Sequence, residues 1–290
     1  MQRNSVEPSV RVKVACVPLF LLTRFLHPCY AVCSLFRTGR MTNIFKKRLI
    51  QGDLQLGTLV TIPSLEVIEI LSLSGFDWLF VDLEHSAMGV QEAQAILQAA
   101  GPNVPCVVRV PTIDEVWVGK CLDVGAAGII APQIRTCEDA ARAVRLCKYP
   151  PAGTRGVGIA RAHAYGADFA DYVARANDEV AVVVQIEHID AVANLDSIIS
   201  TAGIDALFAG PYDLSGSMGK LGQVKDPEVQ AAISRVKEKA GQAGIPLGIF
   251  GTTAEAVQPY IADGYKLIAV GTDTVMLGTM ARQTLASLRA

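Results

Sequence analysis

Between Leu56 and Val270 the chain repeats one pattern eight times: a short apolar run, a turn with Gly or polar residues, and a helical stretch. The strand candidates are Leu56–Thr61, Trp78–Asp82, Cys106–Val110, Gly128–Ala131, Ala181–Ile186, Ala206–Ala209, Pro246–Phe250 and Leu267–Val270. They are near-continuous in apolar residues rather than alternating with polar ones, as strands covered on both faces are. The stretches between them carry helix punctuation. LEVIEILSLSG follows Ser64, a capping residue, and stops at Gly75; VQEAQAILQAAG ends at Gly101 and DEVWVGKCLDVG at Gly125. CEDAARAVRLC follows Thr136, and DPEVQAAISRVKEKAGQAG opens on Asp226 and Pro227, a cap and then a proline. Strands alternating with helices form parallel sheets. Eight such units over about 230 residues predict a single α/β domain closed as a (β/α)8 TIM barrel. No GxGxxG follows the first strand, so a dinucleotide-binding sheet has no support.

The 290-residue chain has a net charge of −2, which argues against a nucleic-acid partner. Its seven Cys include no CxxC pair and read as neither a disulfide framework nor a thiolate zinc site. Cys106, Cys121, Cys137 and Cys147 sit in apolar patterns as small buried hydrophobes, which suits a reducing cytoplasm. Residues 1–40 differ from the rest. They carry Arg3, Arg11, Lys13, Arg24, Arg37 and Arg40 against the single acid Glu7. The apolar run Val14–Leu22 contains Pro18 and is shorter than the roughly 20 residues that span a bilayer. This leader reads as a targeting peptide, an ordered arm, or sequence upstream of a start at Met41, and is expected to be dispensable. The barrel is assigned to residues 41–290.

One connection is long. Between the fourth and fifth strands, KYPPAGTRGVGIARAHAYG (Lys148–Gly166) remains after the helix is subtracted. Loops of more than about 12–15 residues are usually functional or disordered. A lid or a border to the site is expected here, against the alternative of a surface excursion covering a helix.

In such a barrel the chemistry sits where the strands end. DLEH follows the second strand, with Asp82, Glu84 and His85; Arg109 ends the third; VVVQIE ends in Gln185 and Glu187; GPYDLSGSMG follows the sixth, with Asp213. Taken singly, Glu187 and Asp213 read as surface acids or helix caps. As a pair on one rim with Arg109 and His85 they suit a hard divalent ion such as Mg²⁺, Mn²⁺ or Co²⁺. Asp82 is placed to orient the His85 ring, although a locally bonded loop histidine reads equally well. Arg109 ends an apolar strand and needs an anion, either a substrate or a structural partner, Asp82 or Glu84. No strand ends in Lys: Lys266 precedes the eighth and Lys120 lies within a helix. A Schiff-base mechanism therefore has no nucleophile.

VDLEHSAM, VVRVP, LDVGAAGIIAPQIRTCEDA, KYPPAGTRGVG, VVVQIE, GPYDLSGSMG and AVGTDTVML, in this order over about residues 44–285, together resemble the HpcH/HpaI aldolase family. The resemblance implies a pyruvate-type barrel, usually hexameric, with its last helix on a neighbouring subunit. It implies metal ligation by Glu187 and Asp213, an active-site His85 partnered by Asp82, and Arg109 on the keto oxygen. Gln185 would line the pyruvate pocket, and the backbone of Gly210, Pro211, Tyr212 and Asp213 would bind the substrate carboxylate. The implied reaction is class II: a 4-hydroxy-2-keto acid is cleaved to pyruvate and an aldehyde through a metal-stabilised enolate. The leader and the segment SAMG after His85 depart from the family pattern, and the latter leaves the aldehyde open. Oxaloacetate decarboxylation or malyl- or citramalyl-thioester lysis would use the same enolate. A phosphate-binding isomerase using GTT and GTDT after the last two strands leaves the acid pair unexplained. A membrane-attached scaffold needs no such concentration of charge; no membrane partner is expected.

Overall fold

The computed structural model describes residues 44–289. Eight parallel strands close into a barrel in chain order: β1 (Gln55–Val60), β2 (Trp78–Asp82), β3 (Cys106–Arg109), β4 (Gly128–Ala131), β5 (Ala181–Ile186), β6 (Ala206–Ala209), β7 (Leu247–Gly251) and β8 (Leu267–Thr272). Each strand pairs with the next, and β8 returns to β1. The expected fold is thus the observed one, and several strands end a residue or two from their expected limits. Pro246 has no N–H for the ladder, so β7 begins at Leu247, while the Pro246 carbonyl still accepts from Leu207. At the end of β3 the Val110 N–H lies 3.4 Å from the Ile130 carbonyl, where pairing fades.

The helices start where their caps place them. Ser64 accepts from the Val67 N–H ahead of α2 (Leu65–Leu73), which α1 (Ile44–Ile50) precedes. After α3 (Val90–Ala100), Asp114 accepts from Trp117 and so caps α4 (Glu115–Asp123) rather than belonging to it. Thr136 and Asp139 form a capping box on α5 (Cys137–Cys147). The helical connections continue with α6 (Phe169–Glu179), α7 (Ile189–Ala193), α8 (Leu195–Ile199) and α9 (Pro211–Ser217). Last come α10 (Pro227–Ala243), capped by Asp226, α11 (Ala254–Ala262) and α12 (Asp273–Arg289).

Inside the barrel the strands obey a period of two that their uniformly apolar sequences conceal. Trp78 and Phe80, Val107, Ala181 and Val183, and Ala206 and Phe208 form one buried interior cluster. Phe45 and Leu49 of α1 join this cluster from the ends where the strands begin, with the Phe45 ring 5.6 Å from Trp78. Gly57 makes room for that indole, since a Cβ there would lie 2.5 Å from Trp78 Nε1. Continuing the same alternation upward places Asp82, Arg109, Gln185, Glu187 and Gly210 at the opposite end, so the interior changes from apolar to polar within one residue pair.

β1 and β8 are also joined by a side chain. The buried Asp273 carboxylate accepts from the N–H groups of Thr61 and Ile62 at 2.8 Å each, from the Thr61 hydroxyl at 2.6 Å and from the Thr274 N–H at 2.8 Å.

The 148–166 excursion does not border the site. It lies between α5 and α6, on the return path from β4 to the start of β5, and so at the end of the barrel where strands begin. Arg155 pairs with Asp123 at 2.9 Å and stacks on Tyr149, its Cζ 4.5 Å from the ring centre. Arg161 donates to the carbonyls of Val124 and Leu97, closing the ends of α4 and α3. His163 is buried and bonded to the Tyr149 hydroxyl at 3.2 Å. The expected lid is a structural bracket.

Of the four cysteines in apolar patterns, Cys106, Cys121 and Cys147 are buried free thiols, whereas Cys137, on the first turn of α5, is half-buried. Among the described residues no helix is long and apolar enough to cross a membrane. The reading of residues 1–40 as a leader lies outside the described residues.

Candidate active site

A cavity of about 210 Å³ opens at the C-terminal ends of the strands, lined by Leu59, Phe80, His85, Arg109, Gln185, Phe208, Gly210, Pro211, Tyr212, Asp213 and Phe250. The alternation within each strand explains the lining: Phe80 and Phe208 form its floor, and the next inward positions supply its polar wall. Seven of the nine residues expected from sequence face this space. The other two, Asp82 and Glu187, stand behind the wall, each bonded to a residue in it.

Asp82 is bonded to Arg109. Its two oxygens take Nε at 2.9 Å and Nη2 at 2.6 Å, a forked pair buried at the ends of β2 and β3, whose registers align Asp82 with Arg109. Arg109 Nε also lies 3.3 Å from Glu84 Oε2, and the guanidinium sits over Phe80, 5.2 Å from the ring centre. The expected Asp82–His85 ring contact is not formed. Asp82 Oδ1 accepts from the main-chain N–H groups of Glu84 and His85, which shapes the turn after β2, and the guanidinium takes the rest of its capacity. The His85 side chain is 62% exposed at the cavity edge, with Glu84 Oε2 3.9 Å from its Nε2.

Glu187 is 2% exposed. Its Oε1 accepts from the main-chain N–H of Gln133 at 2.7 Å, and its Oε2 from the side-chain amide of Gln185. Gly210 fits against it: a Cβ there would lie 2.8 Å from Glu187 Cβ and 3.0 Å from Gln185 Nε2. Asp213, in the first turn of α9, is exposed.

Three carboxylates, Asp82, Glu84 and Glu187, thus act on one guanidinium that is already engaged by two of them, and Asp213 acts on Glu84 and Glu187. The electrostatics follow. Burial lifts the Glu187 carboxyl to about 7, helped by the charges of Glu84 and Asp213 and opposed by the Gln133 N–H and Arg109. Burial likewise lifts Glu84 to about 6, against the pull of Arg109, with Asp82 and Asp213 adding to the rise. Glu84 Oε2 and Gln185 Oε1 are buried and have no hydrogen-bond donor among the described residues. Arg109 approaches Glu84 Oε2 as an ion pair without the alignment of a hydrogen bond. Such a site is short of positive charge and suits a hard cation, which takes oxygen ligands. Among the described residues no three His, Cys, Asp or Glu side chains converge on one point, so Glu187 and Asp213 would need substrate or water oxygens to complete a coordination shell.

Sequence reading passed over Gln133. Its role rests on a main-chain N–H, and no side-chain pattern announces that. Glu84 was visible in DLEH, but only the fold brings it to Arg109.

The family model for HpcH/HpaI aldolase/citrate lyase matches residues 56–278. The chain belongs to the HpcH/HpaI aldolase/citrate lyase family. Relatives include the hydroxypyruvate/pyruvate aldolase of Sagittula stellata, 41% identical over 82% of this chain and 95% of that one. The 4-hydroxy-2-oxo-heptane-1,7-dioate aldolase of Shigella boydii is 40% identical, over 83% of this chain and 93% of that one. Among solved structures, an HpcH/HpaI aldolase/citrate lyase family protein from Burkholderia cenocepacia superposes with a TM-score of 0.83 at 38% identity, covering 86% of this chain and all of that one. This HpcH/HpaI family member is an enzyme of the carbon–carbon lyase type, and its cavity at the strand ends is where that chemistry would sit.

Proposed function

We propose that the chain is a class II aldolase that cleaves a 4-hydroxy-2-keto acid to pyruvate and an aldehyde. The observation that carries this reading is the acidic cluster at the strand ends: Asp82, Glu84 and Glu187 act on Arg109, Asp213 acts on Glu84 and Glu187, and no strand ends in lysine. Glu187 and Asp213 would hold Mg²⁺, Mn²⁺ or Co²⁺, which when bound acts as a Lewis acid toward the keto oxygen.

The remaining work falls to the chain's own residues. Arg109 has Nε and Nη2 on Asp82, so Nη1 is left to donate toward the keto oxygen as negative charge grows there. Asp82 fixes that donor in advance, so little reorganisation accompanies the reaction. His85, exposed at the cavity edge, takes the proton from the C4 hydroxyl as the C3–C4 bond breaks. In the first turn of α9 the N–H groups of Tyr212 and Asp213 have no intrahelical partner and are placed for the substrate carboxylate; Pro211 has no N–H to give. Gln185 packs beside them. Phe80, Phe208, Phe250 and Tyr212 keep water from the carbanion side.

The phosphate-binding alternative loses ground on one observation. In the GTDT turn the nearby N–H groups of Thr61, Ile62 and Thr274 are bonded to Asp273 and cannot receive a phosphate. Oxaloacetate decarboxylation shares the enolate and is kept as a side activity of the same site.

Assembly with further copies of the chain is part of the proposal. α12 carries Val275, Leu277, Met280, Leu285 and Leu288 exposed, an apolar surface suited to a neighbouring subunit in a hexamer. The buried free thiols suit a reducing cytoplasm. The test is pyruvate release over a panel of 4-hydroxy-2-keto acids, with and without chelator. Release that stops with chelator and returns with Mg²⁺, Mn²⁺ or Co²⁺ is expected. Full activity after exhaustive chelation, or a borohydride-trapped adduct, overturns the class.

A further inference from the structure

We propose that Gln133 is a positioning residue for the cation site, acting through its main chain rather than its side chain; the inference rests on the metal reading above. Gln133 follows β4 and is separated from it by Pro132, which has no N–H. It carries the first main-chain donor beyond the strand, and it stands in the left-handed region at φ 55°. Residues with a Cβ rarely adopt that conformation, and where they do the surroundings impose it, often beside a functional group.

Here the left-handed turn aims the Gln133 N–H across the β4–β5 junction to Glu187 Oε1 at 2.7 Å. The register pairs Ala131 with Val184, so two residues beyond β4 reach the level at which Glu187 leaves β5. The Gln133 side chain does little in return: it is exposed, and among the described residues its oxygen accepts only from Arg135, at 3.5 Å. Gln133 bonds one oxygen, the Gln185 amide bonds the other and Gly210 packs against its Cβ, so the Glu187 carboxylate is held on three sides. A carboxylate fixed in this way meets a cation without first losing side-chain freedom, and losing such an outer partner typically weakens metal binding about 10- to 100-fold.

The experiment is calorimetric titration of Mn²⁺ into chelator-stripped, full-length protein without substrate. Gln133→Ala removes only the exposed side chain, and Gln133→Gly tolerates a positive φ; both are expected to bind Mn²⁺ about as the parent does. Gln133→Val, β-branched and ill-suited to positive φ, is expected to bind roughly 10- to 100-fold more weakly. The melting temperature of the metal-free variants is measured alongside. A lower melting temperature with parental Mn²⁺ affinity in Gln133→Val means a merely structural turn and overturns the proposal. If the parent itself takes up no Mn²⁺, the metal reading fails instead. Should Gln133→Val not fold, hydrogen exchange reads the same bond in the parent. The Gln133 amide is expected to be protected, and to lose protection in Glu187→Ala; an amide that exchanges like an open loop overturns the assignment.

Discussion

Arg109 and Asp82 form a forked pair, Nη2 to Oδ2 at 2.6 Å and Nε to Oδ1 at 2.9 Å, and this pair claims the carboxylate that stands three residues before His85. The guanidinium is thereby aimed, and the imidazole is left at the cavity edge, its Nε2 3.9 Å from Glu84 Oε2.

Replacing Arg109 by Lys keeps one charge and loses the fork. kcat/KM is expected to fall by about two powers of ten or more, as for removal of one preorganised donor. Because the pair is buried, the melting temperature should fall as well. Oxaloacetate decarboxylation should decline in step with aldol cleavage, since both pass through the enolate. A folded Arg109→Lys enzyme with near-normal kcat would confine Arg109 to the ion pair.

His85 offers the opposite combination. Its side chain is 62% exposed, so His85→Ala should leave the melting temperature unchanged. If the ring moves the C4 proton, kcat for cleavage should fall about 10²- to 10⁴-fold. Oxaloacetate decarboxylation, which has no C4 hydroxyl to deprotonate, should fall far less. Equal losses in both reactions would move His85 from proton transfer to substrate binding.

The raised carboxyls set a pH dependence for the metal-free protein. Glu84 and Glu187 are lifted to about 6 and about 7, against an ordinary value of 4.5. The folded protein therefore holds protons that the unfolded chain has released. Below pH 4.5 the two states are equally protonated at these groups; as pH rises through 6 and 7 the fold loses stability, in total on the order of a few kcal/mol. In chelator, Glu187→Gln should match the parent near pH 5 and become more stable than it near pH 8. Saturating Mg²⁺ should raise the parent's melting temperature more at pH 8 than at pH 5, because protons compete for the same oxygens. A flat difference between parent and variant across that range would refute the assignment.

Gly210→Ala tests the packing of the acid. The new Cβ would meet Glu187 Cβ at 2.8 Å and Glu187 Oε2 at 3.1 Å. Glu187 must shift to admit it. Mn²⁺ affinity and kcat are expected to fall together by tenfold or more, about the effect of disturbing a ligand's immediate support. Unchanged Mn²⁺ binding in the folded variant would show that the cation does not depend on the position of Glu187.

The barrel was legible in the sequence because its evidence is repetitive: eight apolar runs, each followed by capped and glycine-stopped helices. The inward face of each strand was not, because helices cover the outside and both faces are apolar. Trp78, Phe80 and Asp82 share a side, yet Leu79 and Val81 between them are as hydrophobic as the first two. The rim residues could be named from their places at strand ends. Their partners could not, since the contest between Arg109 and the His85 ring for Asp82 is decided by the alignment of β2 with β3. The long segment after α5 misled for a related reason. Its length and glycines resemble those of a lid, but a segment that follows the helix returning from one strand, on the way to the next, is delivered to the far end of the barrel.

Asp273 has a bearing on how this chain could be rearranged. Three hydrogen bonds accepted by one carboxylate stitch the outgoing end of β8 to the residues leaving β1. The seam between the earliest and latest strands is held by a side chain as well as by the ladder, and needs no peptide link across it. A circularly permuted gene, opened between two other strands and spliced across this seam, would inherit a joint that is already sewn.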